Sequence, residues 1–213
     1  LGLGFEMVRR QSQAHLSSYA ERDFELDEFS RKVNWAEEWG FPIEYYAPTL
    51  QTGRDQGASL LALGVKRDLT MKVATVGIEG LTPVEQRELP SDMDFLKTEH
   101  RALFDSLTQD HPHGDPNRMY AAQVVWDESM ADASASFLAA RAPGRKLLIL
   151  AGKAHCHHLG IPSRVERRGD FRVVSVIPVE GQPVKTKPVT ASSSADDRLL
   201  AGYDYQLVFS AKD

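Results

Sequence analysis

Four adjacent side chains able to handle metals and protons, His155, Cys156, His157 and His158, follow the apolar run Lys146-Leu147-Leu148-Ile149-Leu150-Ala151 and its turn residues Gly152-Lys153-Ala154. Imidazole binds transition metals and haem iron and exchanges a proton near neutral pH, and a thiol can bind iron or act as a modest nucleophile. Three of the seven histidines and the single cysteine fall in this cluster. Their spacing matches no structural zinc signature, which wants four ligands at recognisable intervals, and no Ser-His-Asp or Cys-His arrangement can be read from it. Glu6 is a second candidate, just beyond the apolar start Leu1-Gly2-Leu3-Gly4-Phe5; the competing reading is a first-turn acid answering a helix macrodipole. Gln123 and Asp127, one helical turn apart, form a third set whose plainer reading is surface hydrogen bonding.

The elements that must position these groups are strands and helices in alternation. Leu1 to Met7, Gly57 to Gly64, Lys146 to Ala151 and Phe171 to Pro178 read as strands, each apolar and bounded by glycine, proline or polar residues. Helices are expected over Val8 to Tyr19, near Pro48 to Gln56, over Arg67 to Val76, from Thr82-Pro83 with its cap and first-turn proline, over Asp94 to Thr108, and after the histidines through Arg167. The clearest is Asn117 to Ala140, where Met119, Ala122, Trp126, Met130, Ala133 and Phe137 fall within an arc of about 80° and predict a buried stripe. On that phase Gln123 and Asp127 flank the stripe and Glu128 faces solvent. Trp35 to Tyr46 reads as aromatic packing, His111 to Pro116 and Pro143-Gly144 as loops, and 181–197 as a flexible connector. Strand-then-helix order implies an α/β fold, a mainly parallel sheet with helices on both faces, closed by an edge strand near Tyr203 to Ser210 that could be antiparallel. Ligands of such sheets sit at the carboxyl ends of the strands, so Glu6, Gln123, Asp127 and His155 are expected to line one crevice.

Composition bounds the function. At 213 residues, 42% hydrophobic and 26% charged, the chain reads as one domain over 1–213. A net charge of −5 without a basic run argues against nucleic acid as partner. One cysteine excludes an intrachain disulfide. No apolar run of about 18 residues spans a membrane, no targeting segment is present, and a start at Leu1 without methionine suggests a processed or truncated chain.

Four stretches together resemble the ChaN-like haem-binding uptake lipoproteins of the Tiki superfamily. They are Leu3-Gly4-Phe5-Glu6-Met7; Trp39-Gly40-Phe41 with Tyr46-Ala47-Pro48; Ala122-Gln123-Val124-Val125-Trp126-Asp127-Glu128-Ser129-Met130-Ala131; and Leu150-Ala151-Gly152-Lys153-Ala154-His155 with Gly160-Ile161-Pro162. The Gln-x-x-Trp-Asp-Glu-x-Met block is the most specific. Members of that family begin with a strand ending in a Gly-Glu-x-His type motif, and this chain starts after that point.

The resemblance implies an α/β fold, a pocket around Glu6 and His155, and a non-catalytic role in iron or haem uptake for a protein exported to the cell surface or periplasm, held to a membrane only through an anchor this chain lacks. It implies haem held through a tyrosine with histidine nearby, close to the interface of a homodimer. Candidates for contact with haem or metal are His155, His157, His158, Cys156, Tyr203 and Tyr205, with Lys153 or Arg164 near the propionates. Two other readings stay open: a hydrolase of the Tiki protease type using a divalent ion such as manganese or cobalt to activate water, and a degenerate domain kept as an interaction module.

Overall fold

The computed structural model describes residues 1–109, 114–140, 144–184 and 193–209. Every residue of the first strand, β1 (Gly2–Arg9), is buried, as expected of a parallel strand covered on both faces, whose sequence need not alternate. Helices α1 (Gln13–Ala20), α2 (Leu26–Lys32), α3 (Trp35–Glu38) and α4 (Ala47–Asp55) lead to β2 (Ser59–Gly64). Next come α5 (Arg67–Val76), α6 (Pro83–Gln86), α7 (Thr98–Thr108), α8 (Pro116–Ala139) and β3 (Leu147–Leu150). The chain continues through α9 (Lys153–Cys156), α10 (Ile161–Glu166), β4 (Val176–Glu180), α11 (Ala195–Leu200) and β5 (Tyr205–Phe209). No helix among the described residues is long and apolar enough to cross a membrane.

The chain packs as two compact units, Leu1–Thr70 with Ala133–Ala151, and Met71–Asp132 with Gly152–Asp213. In the first unit β1 is central, pairing in parallel with β2 on one side and β3 on the other. Pairing is regular on both sides from Gly2 to Phe5 and irregular beyond it, so Glu6 stands one step past the last residue held by both neighbours. Leu16 and Tyr19 of α1, Phe29 of α2, Trp35 of α3 and Leu50 of α4 pack with Leu3, Phe5 and Val8 into one apolar core. Each such side chain contributes about 1.5–3 kcal/mol when fully buried.

In the second unit, α6 opens with a complete capping box: the Glu85 backbone N–H donates to the Thr82 hydroxyl and the Thr82 N–H to the Glu85 carboxylate. Lys72 joins that carboxylate at 2.7 Å. These hydrogen bonds, led by Lys72, hold Glu85 down to about 2. Strands β4 and β5 form a separate parallel pair in register from Val176 with Tyr205 to Glu180 with Phe209.

The α/β class and the parallel sheet agree with the sequence reading, and α5 falls on the expected Arg67 to Val76. Four details differ. The last strand is parallel to its neighbour in its own ribbon, not an antiparallel edge of the main sheet. Strand β1 runs on to Arg9, where helix was expected. Strand β4 begins at Val176, five residues after Phe171. Of the expected stripe on α8 only Met130 is buried, whereas Val124, Val125, Asp127 to Ala131, Ser134 and Ala135 are. Glu128, expected in solvent, is therefore inside; hydropathy counts a carboxylate as polar, but one fully paired with cations can be buried. Residues 111–113, Pro143 and 185–192 of the expected loops and connector lie outside the described residues.

Candidate functional site

Beyond β3 the chain turns at Gly152, whose carbonyl accepts from the His155 and Cys156 N–H groups at 2.9 and 3.1 Å to start the single turn α9. Four residues cannot hold a helix alone, so the turn depends on its surroundings. Gly160 lies beneath it: a Cβ there would meet the His155 carbonyl oxygen at 2.4 Å, so only glycine allows the approach.

His155 is thereby aimed at α8. Its Nδ1–H donates to Asp127 Oδ1 at 2.5 Å, the Gln123 side-chain amide lies 3.1 Å from the same nitrogen, and the Trp126 ring packs at 5.2 Å from the imidazole. Asp127 is fully buried and its other oxygen meets His100 Nε2 at 3.2 Å. Arg164 Nη2 donates to His100 Nδ1 at 3.2 Å. A guanidinium can only donate, so Nδ1 of His100 is the acceptor and its proton sits on Nε2, directed at Asp127. Burial pushes the Asp127 carboxyl up, but the charge on His155, the hydrogen bonds from His100 and His155, and Arg164 outweigh it and leave Asp127 well below the usual carboxylate range.

Glu128 is neutralised differently. Arg164 Nε lies 3.2 Å from one oxygen, Arg167 and Arg168 reach the other at 3.0 and 2.7 Å, and the Asp94 N–H donates at 2.8 Å. Adjacent helix residues point about 100° apart, so these two acids are served by separate partners: imidazoles and an amide for Asp127, guanidiniums for Glu128. Arg164, wholly buried against Glu128, His100 and the Leu159 carbonyl, is committed to this interior and is not a surface group for propionates.

The structure thus brings Gln123, Asp127 and His155 together. Glu6, 3% exposed, belongs to β1 in the first unit. His157 is 2% exposed, its Nε2–H donating to the Arg198 carbonyl at 3.2 Å and its Nδ1 accepting from the Leu159 N–H at 3.1 Å. Burial, with the charge of His158, pushes His157 down to about 4. His158 is exposed and Cys156 half-buried. The Tyr203 hydroxyl donates to the Lys153 carbonyl, and burial, then Cys156, pushes that phenol above its ordinary value. Tyr205 stands 62% exposed at the head of β5, and Lys153 is exposed. Among the described residues no three His, Cys, Asp or Glu side chains converge to hold a metal ion.

Sequence reasoning missed His100. It lies three residues before buried Leu103 on α7, so a polar residue on the apolar face of an amphipathic helix was the available signal.

Comparison with protein families matches residues 1–165 to the family described as haem-binding uptake, Tiki superfamily, ChaN. Among solved structures the chain is similar to one described as "Cofacial heme binding to ChaN of Campylobacter jejuni", at 19% identity and a TM-score of 0.63, over 86% of this chain and 69% of that one. At that identity the likeness is one of fold. Comparison with curated proteins gives no match. Strands β4 and β5 and helix α11 lie beyond the family match.

Proposed function

The chain belongs to the haem-binding uptake family of the Tiki superfamily, ChaN, and from that premise we propose that it is a non-catalytic haem-binding protein of iron or haem uptake, with His155 at or beside the iron. The observation that carries this reading is the 2.5 Å contact between His155 Nδ1 and the buried Asp127 carboxylate. With Nδ1–H donated there, Nε2 is the nitrogen through which the imidazole in its neutral form would bind a metal. A carboxylate behind a ligating histidine fixes its tautomer and raises its basicity. His155, backed by Asp127, would be the residue offered to haem iron, and haem would supply the metal centre and a large apolar face.

Lys153 is the basic group offered for a propionate. A coordinating tyrosine works as phenolate, which disfavours Tyr203, raised and bonded to a carbonyl; Tyr205 is the remaining candidate of the two. The reading includes a single functional domain, a homodimer, and an exported protein, all resting on the family.

A titration of the purified chain with haemin, read in the Soret band, tests the proposal. Wild type should give a shifted Soret band, and His155→Ala should alter it or weaken haem retention. One observation favours a second reading: an imidazole backed by a buried carboxylate is also the form of a general base. A wild-type chain with no Soret shift that hydrolyses a peptide only with added manganese or cobalt would replace the haem reading with the hydrolase one.

A further inference from the structure

The turn that carries His155 is held from a part of the chain beyond the matched family region. Three contacts run from residues 198–203 to residues 153–158. The His158 N–H donates to the Gly202 carbonyl at 2.9 Å, the His157 Nε2–H donates to the Arg198 carbonyl at 3.2 Å, and the Tyr203 hydroxyl donates to the Lys153 carbonyl. That carbonyl also accepts from the His157 N–H at 3.2 Å, closing α9. The fit is close: a Cβ on Gly202 would lie 1.9 Å from the His157 ring, and the Tyr203 ring stands edge-on to it at 84°. The segment is itself anchored, by the Ser194 cap of α11 and by Leu199, 2% exposed.

We infer that this C-terminal segment is a clasp that positions His155, with Tyr203 and Gly202 as its positioning residues: the phenol grips the first residue of α9, and the glycine admits the ring of His157, whose backbone N–H closes the turn. Its importance for ligand binding rests on the haem reading above; its action on the imidazole does not. A four-residue helix has one internal turn of hydrogen bonds, so its register toward Asp127 depends on outside contacts. The Tyr203 hydroxyl bonds to backbone, and neither it nor the ring beside His157 is bonded to Asp127, Gln123 or His100, so losing the hydroxyl loosens the aim of His155 without altering the groups at which it aims.

The test uses the full chain without haem. The His155 Nδ1 proton, shared with Asp127 in a short charge-assisted bond, is followed by nitrogen-15 NMR as a downfield resonance and by its exchange with solvent. Tyr203→Phe should exchange roughly three- to tenfold faster, the size of one hydrogen bond, while the unfolding midpoint stays at the wild-type value. Gly202→Ala, which pushes on the His157 ring, should broaden the same resonance. In haemin titrations both variants should lose retention in the same order. The inference is overturned if the proton is as protected in both variants as in wild type, or if Tyr203→Phe loses protection only in parallel with global stability, which would make Tyr203 structural. Should wild type bind no haemin, the haem reading fails while the imidazole comparison still decides on the clasp.

Discussion

Asp127 and Glu128 are neighbours on α8 with different work to do, and substitution should separate them. Asp127→Asn keeps the shape and removes the charge behind His155; since partners of a ligating histidine are typically worth 10–100-fold in affinity or activity, haem affinity should fall by about that range. Haemin titration measures it, and unchanged affinity would separate His155 from the ligand. Glu128→Gln leaves Arg164, Arg167 and Arg168 facing a neutral amide, with Arg164 wholly buried. Breaking one side of a buried ion cluster costs about 3–5 kcal/mol, so chemical denaturation should show a loss of that order; a loss under about 0.5 kcal/mol would mean the arginines find water or other partners. Of these residues, His155 stood out by its place after an apolar run, and Asp127 by the resemblance at the Trp-Asp-Glu block, since spacing alone read it and Gln123 as surface hydrogen-bonders. The burial of Glu128 was not legible, because it depends on cations 36 to 40 residues downstream that periodicity on one helix does not see.

Among the elements, α6 carries its own pH signature. Glu85 accepts from Lys72 and Thr82 and is held down to about 2. A carboxylate lowered on folding contributes stability above its unfolded value, here 4.5, and loses it as pH falls through the folded value. The Glu85 carboxyl carbon should therefore titrate in NMR with a midpoint near 2, and Glu85→Gln should remove part of the slope of stability between pH 4.5 and 2; a midpoint near 4.5 would mean that the capping box does not hold in solution. Elements with local signals were the readable ones: α5 by its period, α6 by Thr82-Pro83, β3 by an apolar run ending at glycine. What could not be read was pairing between distant segments. The strand at Tyr205 alternates enough to be recognised, but its parallel match to β4 comes from a ribbon that local sequence does not announce.

At the scale of the molecule, sheet class followed from the order of elements, whereas division into two units did not, because the chain passes between them inside α5, inside α8 and between Ala151 and Gly152, where composition shows no linker. The strand order β2-β1-β3 has a consequence for how the chain comes off the ribosome. The central strand is made before both of its partners, and the one that pairs Leu147 with Gly2 follows it by 145 residues. Until then Leu3 and Phe5 have an open backbone edge beside them, the kind of edge that recruits other chains. A chain ended at residue 140 should therefore self-associate, scattering light at concentrations where the full chain stays clear, and its β1 amides should exchange with solvent faster than those of the intact chain. Equal clarity and equal protection would show that pairing with β2 suffices. Vulnerability during synthesis is thus written into the choice of which strand stands in the middle.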